Sequence, residues 1–290
     1  MYSHTINKLP KRTTEILLKI PAVDIERERK LAFDSLQKEL TVEGFRKGKV
    51  PKEIAEKHLS KESIYQELLK TLLTGIYEEI VKKENLQPVI NPKIDLVKAK
   101  EGEDWEVKIT IAEKPIVDLG IYKEAMKKAK TEQKKEDIWV PGKDQAKSQS
   151  SDSETKKQEK LNAVLSVLLR EVKCEISDLI IEDELDRRLT QLVDDVRKIG
   201  LTVESYLKSK SLTIDDLKSR YKKEIEDMYR LEFILMGIAD KENIKVEKSD
   251  LDKLFANIKM DSERKEAEQN AYYYASILRK QKTLDFLLGL

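Results

Sequence analysis

The chain has 290 residues, 39% apolar and 38% charged, and its 56 basic residues nearly cancel its 55 acidic ones. That length predicts two or three domains, and charge well above the usual quarter fits long helices with wide solvated faces better than one compact globule. The balance supplies no general attraction for polyanions, so a nucleic-acid contact has to come from a local patch. A single cysteine, Cys174, excludes an intramolecular disulfide framework, suits a reducing cytosol and is expected as a buried core thiol.

Residues 1–20 lack the continuous apolar core of a signal peptide, and no window reaches the roughly eighteen uninterrupted apolar residues of a membrane span. A soluble, cytoplasmic protein with no membrane contact is expected. His4 is expected near a loose terminus. Thr13 to Ile20 alternates as a strand with Ile16, Leu18 and Ile20 on one face, and Pro21 ends it. Asp24 is the expected N-cap of a helix whose apolar positions are Ile25, Ala32, Leu36 and Leu40.

Then comes Gly44-Phe45-Arg46-Lys47-Gly48-Lys49-Val50-Pro51, followed by Ile54, Ala55 and Leu59 at helical spacing. The octet is therefore the tip of a helix–loop–helix. Gly44 and Gly48 allow tight or left-handed turns, and Pro51 suits the first turn of the next helix, where a missing N–H is harmless. Between them stand three cations and one large aromatic, with no acid among the eight residues. Such a loop presents its charges to water or to a partner.

Ser60 can cap a longer helix with apolar positions Ile64, Leu68, Leu72, Ile76 and Ile80, widened by Leu69, Leu73 and Tyr77 as for a helix packed on a sheet. Asn85, Pro88 and Pro92 break the chain, and Ile94–Val97 and Trp105–Ile111 read as two strands around a turn at Gly102. Residues 1–112 thus predict an α+β domain. Residues 113–160 are expected to be a polar, flexible linker, because Lys143 to Lys160 is nearly all Lys, Gln, Ser, Asp and Glu and cannot offset its own ordering entropy. Trp139 is the exception there. Limited trypsin should cut first between about Lys127 and Lys160 and leave two resistant fragments; early cleavage within residues 60–85 would show the boundary to be misplaced.

Helical periodicity returns over 161–290, which predicts an all-α domain. Leu161, Leu165, Leu168 and Val172 form one stripe; Leu185, Leu189, Leu192, Val196 and Ile199 form the next, closed by Gly200. Thr202 and Thr213 are expected caps, the latter with Asp216 three residues on. Leu217, Tyr221, Ile225, Leu231, Leu235 and Ile238 follow, and Ser249 is the expected start of another helix. Core packing is the expectation for Met228, Tyr229, Phe233 and Tyr272 to Tyr274.

Gly-Phe-Arg-Lys-Gly-x-x-Pro in a helix–loop–helix, after a strand and a helix, resembles the ribosome-binding signature of bacterial trigger factor. The later order of Tyr206-Leu207 and a long helix ending in Ile-Ala-Asp-Lys-Glu-Asn-Ile resembles the C-terminal domain of the same family. The resemblance implies an elongated multidomain chain: an α+β N-terminal ribosome-binding domain and an all-α chaperone domain with extended helical arms. It implies docking through Gly44, Phe45, Arg46, Lys47, Gly48 and Lys49 beside the exit tunnel of the large ribosomal subunit, on ribosomal protein with rRNA as a second candidate. It implies nascent or unfolded polypeptides as partners; a homodimer stays open. Trigger factors usually carry a central prolyl isomerase domain, and only the polar segment 113–160 stands in its place here.

Other chemistry finds no support in the residues. His4 and His58 do not form a recognisable triad with serine or cysteine, no metal-ligand spacing occurs, and Gly44 to Lys49 lacks the spacing and the Ser or Thr of a phosphate loop. No catalytic residue and no cofactor are expected. The leading expectation is an ATP-independent ribosome-associated chaperone. A prolyl isomerase by family association, and a helical adaptor that binds RNA through the basic loop, are the alternatives.

Overall fold

The computed structural model describes residues 2–128, 152–256, 258 and 260–290. Two units emerge, Met1–Lys114 with Ser177–Ile180, and Pro115–Ile176 with Ile181–Leu290. The first is built on an antiparallel sheet of β1 (Ser3–Leu9), β2 (Thr13–Ile20), β3 (Lys93–Lys98) and β4 (Trp105–Ala112), in the order β1-β2-β4-β3. Alternation sets its inner face: Ile16, Leu18 and Ile20 stand opposite Ile109, Val107 and Trp105. Onto that face pack α1 (Ala22–Glu39) through Ile25 and Ala32, and α3 (Lys61–Lys83) through Leu68, Leu73, Ile76 and Ile80. Each buried Leu or Ile there contributes about 1.5 to 3 kcal/mol, so this interface is a main source of the unit's stability.

Three local expectations change. Pro21, not Asp24, is the N-cap of α1; its carbonyl accepts from the Asp24 and Ile25 N–H groups at 3.0 and 3.2 Å, and Asp24 lies in the first turn. The Ala22 N–H is taken instead by Asp104 Oδ1 at 3.0 Å. The terminus around His4 is not loose but forms β1, paired from Ser3 with Lys19 to Leu9 with Thr13. An edge strand needs only a half-covered face, so Ser-His-Thr-Ile-Asn-Lys-Leu shows no strong alternation. Its hairpin turn holds Lys11 and Arg12 at φ +56° and +54°, the region favoured by the Asn-Gly pair this sequence lacks. The Ser60 cap does form, with its Oγ accepting from the Ser63 N–H at 3.1 Å.

The second unit is helical, with Asp152–Glu171, Asp178–Lys198 (beyond Ile180), Val203–Ser209, Ile214–Lys241, Lys248–Ala256, Asp261–Gln269 and Ala271–Gly289. Two short strands, β5 (Val117–Asp118) and β6 (Lys173–Cys174), pair beside them. The long helix Ile214–Lys241 packs against Asp152–Glu171 and Ala271–Gly289. Its start is a full reciprocal capping box: Thr213 Oγ1 accepts from the Asp216 N–H at 3.1 Å, and Asp216 Oδ2 accepts from the Thr213 N–H at 3.1 Å. Gly200, at φ +74°, ends its helix as expected. The Gly200 N–H reaches the Arg197 carbonyl and the Leu201 N–H reaches that of Val196, a Schellman pattern. Ser249 lies inside its helix instead of starting it; Asp250 Oδ2 accepts from the Glu247 N–H at 2.9 Å.

Parts of the expected linker belong to this unit. Residues 122–128 are helical, and Leu119, Tyr122 and Met126 are buried. Tyr122 Oη and Lys123 Nζ each donate to Glu242 at 2.8 Å, which holds the Glu242 carboxyl below its usual range. Trp139 and five of the ten lysines from Lys127 to Lys160 lie outside the described residues, while Lys156, Lys157 and Lys160, expected in the linker, lie in the helix Asp152–Glu171. Phe233 is buried and Tyr229 and Tyr274 are half-buried, as expected, but Met228, Tyr272 and Tyr273 are exposed, and so is Ile199 at the end of its stripe. Among the described residues, no helix is long and apolar enough to cross a membrane.

Cys174 is buried, and desolvation pushes its thiol above the ordinary range despite the opposing charge of Arg230. The thiolate is the reactive form, so Ellman's reagent should label Cys174 rapidly only after denaturation. Equal labelling rates for native and denatured protein would refute that expectation.

Candidate docking site

The loop after α1 is two consecutive four-residue turns. The Phe45 N–H donates to the Val42 carbonyl at 3.0 Å, and the Lys49 N–H to that of Arg46 at 2.9 Å. Gly44 and Gly48 occupy the third position of each turn, at φ +84° and +75°, as type II turns require. The four-residue glycine spacing is thus the spacing of the turns. Gly48 carries a second constraint. A Cβ there would lie 2.9 Å from the Lys38 carbonyl oxygen, whereas one on Gly44 meets nothing.

Beneath the turns lies a small separate core of Phe33, Val50 and Ala55, flanked by Leu40, Val42, Ile54, Leu59 and Ile64. Gln37 Nε2 ties the far end of the loop to α1 by donating to the Val50 carbonyl at 2.7 Å. Pro51 caps the helix α2 (Lys52–His58), one residue earlier than expected, and its carbonyl accepts from the Ile54 and Ala55 N–H groups. Phe33 fills the position that a loop aromatic could otherwise have plugged. Phe45 stays 39% exposed.

Arg46, Lys47 and Lys49 are all exposed. Among the described residues, Arg46 and Lys49 form no ion pair, while Lys47 Nζ lies 2.6 Å from Glu39 Oε2 at the end of α1. That contact holds the Glu39 carboxyl below its usual range. The site therefore presents an aromatic edge, two unpaired cations and one paired cation on a braced loop. The sequence-predicted residues Gly44 to Lys49 come together as one surface. Glu39, Gln37 and Phe33 were not singled out. Phe33 and Gln37 share a helix face with Leu40 at four- and three-residue steps and could have been read from it. Glu39 had no such signal, because its pairing crosses a loop.

The first unit is thus a small α+β fold that displays a braced basic loop, in one chain with a helical unit. Residues 2–139 match the family described as Bacterial trigger factor protein (TF), and residues 144–288 match Bacterial trigger factor protein (TF) C-terminus. The chain belongs to the bacterial trigger factor family. It is 41% identical over 99 residues to the trigger factor of Streptococcus pneumoniae (strain Hungary19A-6), covering 34% of this chain and 23% of that protein. It is 39% identical over 110 residues to the trigger factor of Lactiplantibacillus plantarum, covering 38% of this chain and 25% of that protein. The matched stretches thus span about a quarter of the length of these relatives. A solved structure of the trigger factor chaperone, studied for promiscuous substrate recognition in folding and assembly, shares the fold. Its TM-score is 0.60 at 15% identity, over 98% of this chain and 99% of that one.

Proposed function

We propose that this chain is an ATP-independent, cytoplasmic chaperone that docks on the large ribosomal subunit near the polypeptide exit and shields nascent or unfolded chains. The observation that carries the reading is the exposed Phe45 beside unpaired Arg46 and Lys49, on turns braced by a core of their own. Small contacts concentrate their energy in aromatic and arginine side chains, and this loop offers one of each. Client binding is assigned to exposed apolar side chains of the helical unit: Tyr272 is 91% exposed, Tyr273 62% and Ile277 42%. Removing such surface from water drives association with unfolded segments without nucleotide. The experiment is cosedimentation of the full chain with purified bacterial ribosomes, alongside suppression of aggregation of a chemically denatured protein. Binding to ribosomes without suppression, or suppression without ribosome binding, would refute half of the reading; failure of both would refute all of it.

The same reading assigns no prolyl isomerase activity. The two family matches adjoin with only residues 140–143 between them, and domains rarely fold below about 40 residues without metals or disulfides. In a proline-limited refolding assay, substoichiometric protein should leave the slow phase unchanged. Catalytic turnover blocked by an FKBP-type inhibitor would overturn this assignment.

A further inference from the structure

Glu39 is out of place by local rules. It is the last residue of α1, where the helix dipole disfavours an acid. The folded loop nevertheless returns Lys47 to within 2.6 Å of it, while Arg46 and Lys49 form no ion pair among the described residues. Both partners are open to water, with side chains 60% and 73% exposed, so the pair contributes little as a structural staple. Its position, however, is within the cationic surface itself.

We propose that Glu39 is a specificity residue of the docking loop, an internal competitor that occupies Lys47 and repels phosphates, so that RNA offering charge alone is held weakly. The proposal rests on the docking reading of the loop and adds the polyanion that the loop is built to refuse. A phosphate approaching Lys47 has to displace a carboxylate already in contact and then sit beside that carboxylate's charge. Charge neutralisation drives non-specific RNA binding, so one occupied lysine removes about one counterion-release contact. Phe45 lies outside this competition. A partner that also buries an aromatic therefore keeps a contact that phosphate charge alone does not supply.

The test is Glu39→Gln, which keeps size and removes the charge, titrated with poly(U) RNA at several salt concentrations. Affinity at low salt should rise about threefold or more. The log–log salt slope should steepen by about 0.7, roughly a 2.6-fold greater loss between about 50 and 200 mM salt. In the Lys47→Ala background the same substitution should give no gain, because the competitor has nothing left to occupy. The melting temperature should stay within about 3 °C, excluding a change of fold as the cause. Unchanged poly(U) affinity and slope, or a full gain without Lys47, would overturn the proposal. Arg46→Ala, cosedimented with ribosomes, tests the underlying reading separately. Weakened ribosome binding there, with no effect of Glu39→Gln on poly(U), sinks only the competitor; unchanged ribosome binding sinks the docking loop and the proposal with it.

Discussion

Replacing Phe45, Arg46 and Lys47 together with alanine should lower ribosome affinity by about a hundredfold or more while leaving the fold and aggregation suppression intact. Hot-spot side chains each cost about 2 kcal/mol or more on truncation, and losing two exceeds two decades in affinity. The fold should survive because the core under the loop is made by Phe33, Val50 and Ala55, and none of the three substituted side chains belongs to it. Surface changes of this kind usually alter stability by less than about half a kcal/mol. Cosedimentation and thermal melting check the two halves separately. A folded triple variant that still binds ribosomes would remove the loop from the docking assignment.

The salt dependence of the unsubstituted protein identifies what the loop meets. Three cations on phosphates would lose about fortyfold in affinity between about 50 and 200 mM salt, borrowing the duplex slope. Lys47 is already paired with Glu39, so contact through Arg46 and Lys49 alone would lose about twelvefold. A dependence shallower than that points to carboxylates of a ribosomal protein as the partner.

Gly48→Ala should destabilise the first unit by about 2 to 3 kcal/mol, and Gly44→Ala by about 1 kcal/mol. Both substitutions force a Cβ into left-handed backbone, at φ +75° and +84°, which costs about 1 to 2 kcal/mol. Only at Gly48 does the added carbon also meet backbone, the Lys38 carbonyl oxygen at 2.9 Å. Backbone cannot swing aside as a side-chain tip can, so α1 and the loop would have to separate. Thermal melting should show a drop of about 10 °C or more for Gly48→Ala and about half that or less for Gly44→Ala. Ribosome affinity should fall with Gly48→Ala as the loop leaves its brace. Equal drops for the two variants would show that the approach to Lys38 is not a constraint.

What could be read from the chain alone is what short-range physics controls. Period-two alternation marked β2 over Thr13–Ile20, and period 3.6 marked the face of α3 that buries Leu68, Ile76 and Ile80. Hydroxyl caps announced Ser60, Thr202 and Thr213, and glycines in left-handed backbone announced the loop turns and the end of the helix at Gly200. Each signal lies within four residues of its effect. The turn geometry of the octet Gly44 to Pro51 was legible for the same reason, since two turns and a cap are local.

Only the tertiary structure decided the rest. β1 exists because β2 offers a ladder to it, not because its own polar sequence prefers a strand. Phe33 rather than Phe45 fills the core under the loop, and Tyr272 and Tyr273 stay in water, because a helical stripe shows which residues share a face but not what covers it. Glu39 lies eight residues from Lys47 along the chain and 2.6 Å from it in space. No local rule joins them; two glycine turns and a helix end bring the carboxylate to the lysine, and the charge the loop displays is settled there.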